Sequence, residues 1–398
     1  MFFYRSDAVL EFPRKSIDKI LQKGVGVLDS SQETKKIPVS ELCPNMILSK
    51  DAVSKNGVVI LAKNTRLDNS NYKKLEKSKD ITTVEIWIYS IDKRNKPFLD
   101  KEETDEKKEP EVSNPVLEKP EFKRFRENYD KKIDELKGCI DALKNGEETN
   151  QEELYGIVEG IMNTANCASD LVQYISYLDN MDDGTYSHSI NVAVLSRICA
   201  SWMKLDKEDA EKAAVAGLLH DIGKSSLNLT AEELSNEDRL TGEKLVQYRR
   251  HPEVGYEMLL FQNLDDEVKQ TALSHHEKID GSGYPNGLKN EDINIITKIV
   301  SVCDAYDNLI SVKKRCPFDI INDFEPMNIG LLDTKILFQF TQNIAHTYIS
   351  SYVQLSNNKT AQVVFINNNF LSRPIVAMLD GTVIDLAYDK TIKIIGMA

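Results

Sequence analysis

Phe125, Tyr129, Ile133, Leu136, Ile140 and Leu143 recur at steps of three and four, which predicts a helix with one apolar stripe to bury. Further helical patterns follow through Tyr348, without alternation of strand and helix, so a Rossmann-type parallel sheet is not expected. The period changes towards both ends of the chain. Val84, Ile86 and Ile88 alternate with Glu85 and Trp87, and Val58-Val59-Ile60-Leu61 follows Asn56-Gly57, the dipeptide that best tolerates a tight hairpin turn. Strands are expected again at Gln362–Ile366, Pro374–Leu379, Val383–Leu386 and Ile392–Ile395, with a turn at Asp380-Gly381. The fold class read from this is mainly α: a helical bundle with a small C-terminal β extension, preceded by a small strand-rich N-terminal domain. The expected boundaries are an extension over 1–36, the strand-rich domain over 37–92, a linker over 93–121 and the helical domain over 122–398, its strands starting from about 350.

The linker follows from composition. Between Asp92 and Pro120, Lys, Glu and Asp dominate, four prolines occur and apolar residues are almost missing, too little surface to offset ordering entropy. Over the whole chain of 398 residues, 41% are hydrophobic, ample for a packed core, and the net charge of −13 argues against a nucleic-acid polymer as partner. A small anionic ligand stays compatible, because bound cations can reverse the local field. No segment reaches the roughly 18–20 apolar residues of a membrane helix. The N-terminus has no secretion signal, and six dispersed cysteines form no C-x-x-C, so a cytoplasmic protein without membrane attachment is expected.

Candidate chemistry is concentrated. Five of the six histidines fall between residues 188 and 276: His188, His220, His251, His275 and His276. His220 and Asp221 end an apolar helical run, where an ionisable pair is costly unless it is paired or metal-bound. The following Ile222-Gly223-Lys224 adds a glycine that frees the turn and a lysine within reach of an anion. Asp221, with two oxygens, can bridge two cations. His251 precedes Pro252 at an expected helix start. The His275-His276 doublet points in two directions on a helix, a geometry that a metal at a frayed end can use. Asp304 lies in an otherwise apolar helix, with Asp307 on the same side. Imidazole and carboxylate together suit iron, manganese, zinc or cobalt, and the lack of a thiolate favours a catalytic over a structural site.

In that order, His188, His220-Asp221, His251, His275-His276 and Asp304 resemble the metal ligands of the HD superfamily of phosphohydrolases. His275-His276-Glu277-Lys278-Ile279-Asp280-Gly281-Ser282-Gly283-Tyr284-Pro285 is similar to the motif that names its HD-GYP branch, and Lys224 matches the extended His-Asp-x-Gly-Lys. The resemblance covers roughly residues 150–396; residues 37–92 also resemble a small N-terminal domain common on such proteins. It implies an HD-type bundle and hydrolysis of cyclic di-GMP to linear pGpG, and in some cases on to GMP, or else hydrolysis of cyclic GMP-AMP, by a hydroxide that bridges two divalent transition metals, iron or manganese foremost. His188, His220, Asp221 and Asp304 would hold one metal, and Asp221, His251, His275 and His276 the other. Lys224 and Asp221 are the implied catalytic pair; Lys224, Asp280, Gly283, Tyr284, Pro285, Asp307, Lys313, Lys314 and Arg315 are the implied substrate contacts. Gly281 and Gly283 would allow close backbone approach, and Tyr284 would meet a base or ribose.

Two departures from the family pattern stand out. The position four before the first histidine is Gly184, where some members place a third-metal glutamate, so two metals are expected, with Asp182 and Asp183 out of register to substitute. The basic segment after the last aspartate is shortened to Lys313-Lys314-Arg315. Competing readings are a receptor that binds cyclic di-GMP without turnover, or an HD phosphohydrolase for another nucleotide. Partners considered are a second copy of the chain through the Phe125–Leu143 stripe, a signalling protein at the GYP loop, and a gating role for the N-terminal domain.

Overall fold

A computed structural model of the protein describes residues 34–39, 48–63, 65, 67, 74–75, 77–78, 81–87, 116, 118–178, 184–235, 237–378 and 380–398. Most of the expected extension and linker, and Asp182 and Asp183, lie outside these. The chain divides into two compact units, residues 1–104 and 105–398.

In the first unit, β1 (Thr34–Pro38), β2 (Ala52–Val53), β3 (Val59–Leu61) and β4 (Thr83–Trp87) form two antiparallel pairs, β1 with β4 and β2 with β3. The β2–β3 turn falls at the expected Asn56-Gly57, with Gly57 at φ +80° and its N–H donating to Ser54 O. Leu48, Leu61, Leu67, Leu75 and Val84 close a small core. β1 begins three residues before the expected boundary at 37. Its Thr-Lys-Lys-Ile-Pro sequence carries no apolar alternation, and its pairing partner β4 supplies the order.

In the second unit, α1 (Pro120–Lys144) starts on a proline, whose missing N–H is harmless in a first turn. Every residue of the predicted stripe is buried within this unit, and Phe125 and Tyr174 pack with ring centroids 5.2 Å apart. Phe125→Ala is expected to destabilise this unit by about 3–5 kcal/mol, read as a lower urea midpoint at unchanged slope.

The helices that follow are α2 (Gln151–Met162), α3 (Ala168–Ser176), α4 (Gly184–Trp202), α5 (Lys207–Leu219), α6 (Ala231–Ser235), α7 (Gly242–Tyr248), α8 (His251–Leu259), α9 (Asp266–Ser274), α10 (Ile295–Asp307), α11 (Pro317–Asn328) and α12 (Thr334–Thr347). The runs of alanine and valine in α4 and α5 are buried, and a Cβ on Gly217 would come 2.9 Å from Ala193 Cα. Asp206 caps α5 and Asn294 caps α10, each accepting from a backbone N–H of the first turn. Through this packing the starts of α4 and α8 and the ends of α5, α9 and α10 carry the histidines and aspartates singled out above. None of the described helices is long and apolar enough to cross a membrane.

The chain ends in a five-stranded antiparallel sheet of β5 (Tyr352–Leu355), β6 (Thr360–Phe365), β7 (Ile375–Met378), β8 (Val383–Asp385) and β9 (Ile394–Met397), in the order β8-β7-β6-β5-β9. The Arg373 guanidinium ties its last loop by donating to the carbonyls of Leu386, Asp389 and Ile392.

Candidate metal centre

α5 stops at Leu219, and a short 3-10 turn, Ile222–Ser226, carries the chain away. The turn can lie against the start of α8 because residue 223 has no side chain: a Cβ there would sit 2.0 Å from His251 O and 2.6 Å from Gly255 N. Gly223 is therefore required by close approach and not, as expected from sequence, to free the turn; its φ is not positive. This contact brings Asp221 beside His251.

Asp221 stands at the middle of the cluster. Its Oδ2 lies 3.3 Å from His220 Nε2 and 3.7 Å from His188 Nε2. Its Oδ1 lies 3.2 Å from His251 Nε2 and 3.6 Å from His275 Nε2. Asp304 Oδ1 completes the first group, 3.1 Å from His188 Nε2 and 3.8 Å from His220 Nε2. Two sets of donor atoms result, each within 4.8 Å of one another: His188, His220 and Asp304, and Asp221, His251, His275 and His276.

The imidazoles are oriented from behind. The Nδ1 atoms of His220 and His251 donate to Gly217 O and Tyr248 O at 2.7 and 2.8 Å, and His275 Nδ1 donates to Ala272 O at 3.1 Å. His188 Nδ1 lies 2.7 Å from Asp307 Oδ2. With the proton on Nδ1, each Nε2 presents a lone pair inward. His251 Nε2 and His275 Nε2 then face each other at 3.2 Å, which is unfavourable for two neutral acceptors unless a cation lies between them. His220 Nε2, Asp221 Oδ1 and His276 Nε2 are buried without a hydrogen-bond partner. Orphaned acceptors converging on one place fit divalent metal and are costly otherwise.

Electrostatics agree. Burial lowers the pKa of His251 and takes His275 down to about 4, and burial with the neighbouring His275 and His251 holds His276 well below its usual range. These rings are neutral near pH 7, the form that ligates. Burial would depress His188 too, but bonds to Asp304 and Asp307 override it and raise the imidazole to about 10, so a cation bound there has to displace a proton from its Nε2. Burial would raise the Asp221 carboxyl; Lys224 and His220 outweigh it and keep it well below the carboxylate range.

Lys224 Nζ lies 2.6 Å from Asp221 Oδ2 and 5.0 Å from the Tyr248 ring centroid, so the lysine borders the cluster. Asp307, read from sequence as a substrate contact, is placed otherwise. It is 1% exposed, with one oxygen on His188 and the other accepting from Ser311 Oγ at 2.8 Å, which leaves no free edge for a ligand. Asp307→Asn is expected to weaken cation binding about 10- to 100-fold, read by metal titration of the folded variant. Ser311 accepts in turn from Asn191 Nδ2 at 3.2 Å, and Asn191 Oδ1 accepts from the Tyr129 hydroxyl at 2.7 Å. Asn308 Nδ2 donates to Asp304 Oδ1 at 2.7 Å. Both Asn308 and Ser311 lie on a π-helical turn, Asn308–Val312, and sequence reasoning missed both, although each stands four residues after the aspartate it holds.

Of the basic triplet, Lys313 lies 2.7 Å from Asp238 in an exposed ion pair. Arg315 pairs with Asp323 of α11, and Lys314 is exposed. In the GYP loop, the buried Glu277 carboxylate accepts from Asn286 N and Leu288 N, a brace not foreseen from sequence. Asp280 Oδ1 accepts from the N–H and hydroxyl of Ser282. A Cβ on Gly283 would come 2.4 Å from Glu277 Cα, so the close approach this glycine allows is to its own chain. Tyr284 precedes a cis peptide bond to Pro285. His346, the sixth histidine, is remote, bonded to Asn368.

Residues 173–317, which hold both donor sets, match the family described as HD domain. This part of the chain is an HD domain. The expected HD-type helical bundle is borne out here, with the small C-terminal sheet beyond it. The chain carrying this HD domain is 37% identical over 159 residues to a cyclic di-GMP phosphodiesterase of Pseudomonas aeruginosa, covering 36% of this chain and 38% of that protein. It is 27% identical over 208 residues to the cyclic di-GMP phosphodiesterase PdeB of Borreliella burgdorferi, covering 50% and 53%. It is 29% identical over 198 residues to a 3'3'-cGAMP-specific phosphodiesterase of Vibrio cholerae, covering 48% and 44%. The chain thus spans about half or less of the length of these relatives. An HD domain implies divalent metal, and the two donor sets are where this chain could bind it.

Proposed function

We propose that the HD domain hydrolyses a phosphodiester bond of cyclic di-GMP, with linear pGpG as first product, using two divalent transition-metal ions. His188, His220, Asp221 and Asp304 would hold one, and Asp221, His251, His275 and His276 the other; iron and manganese suit this nitrogen and oxygen set. The observation that carries the reading is Asp221, whose two oxygens are turned to separate groups of imidazoles. The names of the relatives support the substrate.

Bound there, such cations would supply an acidified water and draw charge from the phosphoryl oxygens. The chain's own residues set the stage. Carbonyls behind the rings, together with Asp307, fix the inward direction of Nε2, and Asn308 fixes Asp304. Lys224 stays protonated because Asp221 overrides the effect of burial, and so would add positive charge where negative charge is held on the phosphoryl oxygens. Lys313 and the exposed Lys314 are the remaining basic groups of the triplet that we assign to the substrate side, with Arg315 turned to Asp323.

A second substrate, cyclic GMP-AMP, is favoured by the name of the Vibrio cholerae relative. Both dinucleotides should be offered to the protein with manganese or iron and again with excess chelator, and the products separated by chromatography. Metal-dependent pGpG from cyclic di-GMP is the expected result. Tight binding with no product under any metal would instead make the protein a receptor.

A further inference from the structure

Four of the five clustered histidines are aimed by a bond to Nδ1; among the described residues, His276 makes no ring hydrogen bond, and its Nε2 is buried without a partner. Its contacts are rings. Tyr284 is stacked on it, with centroids 4.7 Å apart and planes at 25°, while His251 meets it edge-on. The Arg249 guanidinium lies 5.0 Å over the Tyr284 ring. Glu237 links the two, one carboxylate oxygen 2.7 Å from Arg249 Nε and the other 3.5 Å from the Tyr284 hydroxyl. The backbone takes part as well, since Tyr284 N–H donates to His276 O.

We infer that Tyr284, clasped by Arg249 and Glu237, is a positioning residue that sets the imidazole plane of His276. Its stacked face meets a donor ring, where a contact to a base or ribose was expected from sequence. A flat ring restricts tilt of its neighbour through dispersion and quadrupole attraction, and the guanidinium over the tyrosine adds a cation–π attraction that holds that ring in place. The flat face matters here and the hydroxyl does not.

The inference rests on the two-metal reading, and its test separates the two. Manganese is titrated into the full chain by calorimetry, for wild type, Tyr284→Phe, Tyr284→Leu and Arg249→Gln, with circular dichroism as the folding check. Two cations per chain are expected for wild type and for Tyr284→Phe, at matching affinities. Tyr284→Leu should weaken one of the two about 10- to 100-fold and leave the other unchanged, the size usual for loss of a group that orients a ligand. Arg249→Gln, at a half-exposed position that should fold whatever the leucine variant does, should weaken the same cation by a few-fold. Two wild-type affinities in Tyr284→Leu would overturn the inference, as would unchanged binding in Arg249→Gln, or a loss in Tyr284→Phe as large as in Tyr284→Leu. A wild-type chain that takes up no manganese or iron would overturn the metal reading itself, and the inference with it.

Discussion

Asp221→Ala should lower the rate of cyclic dinucleotide hydrolysis on the order of 10³-fold or more, about 4 kcal/mol in the barrier. The side chain is 2% exposed, and no other described carboxylate reaches both donor sets. Its removal takes one oxygen from the set of His251, His275 and His276 and the other from beside His188 and His220, and leaves Lys224 without the carboxylate 2.6 Å away. Lost acceptors and an unpaired buried ammonium both weaken cation binding. The rate should be measured at saturating manganese beside the metal content of the purified variant. Unchanged turnover with unchanged metal content would mean that Asp221 bridges nothing.

Gly223→Ala is expected to be the most damaging single methyl in the HD domain. The new carbon would overlap the His251 carbonyl and the Gly255 amide, both backbone atoms of α8 that no rotamer change can move aside. Pushing α8 away shifts His251 relative to Asp221, so stability and cation affinity should fall together. A loss of about 3 kcal/mol or more is expected, at the upper end for an overpacked core. Gly138→Ala is the matched control. Gly138 is exposed in α1 with nothing within 4 Å of the added carbon, and the change should be neutral or stabilising by up to about 1 kcal/mol. Urea unfolding of both variants, with and without manganese, tests the pair; equal midpoints would refute the packing argument.

Much of this was legible in the sequence because the signals are periodic or chemically rare. The stripe from Phe125 to Leu143 has helical spacing and is buried throughout. The seven imidazoles and carboxylates could be named in advance because histidine is scarce and ionisable groups seldom end apolar runs. What escaped depends on contacts between segments distant in sequence. The use of Gly223 is set by His251 and Gly255, about 30 positions on, and motif spacing says only that a small residue is wanted. Arg249 lies in a polar helix end, where nothing local distinguishes it from any exposed arginine; its meaning comes from Tyr284 and Glu237. Asp307 was placed on the correct side of α10 but given to the substrate, because a carboxylate behind a ligand and one facing a pocket share the same helical register.

Tyr129 belongs to the aromatic wall of the first helix and also begins the row of polar atoms that runs through Asn191, Ser311 and Asp307 to His188. Shape and chemistry thus share a member. A helix held only by greasy contacts could slide a little and lose nothing; here, sliding would tug on an imidazole several side chains away. The interior of this protein is free to be rewritten only where that row does not pass.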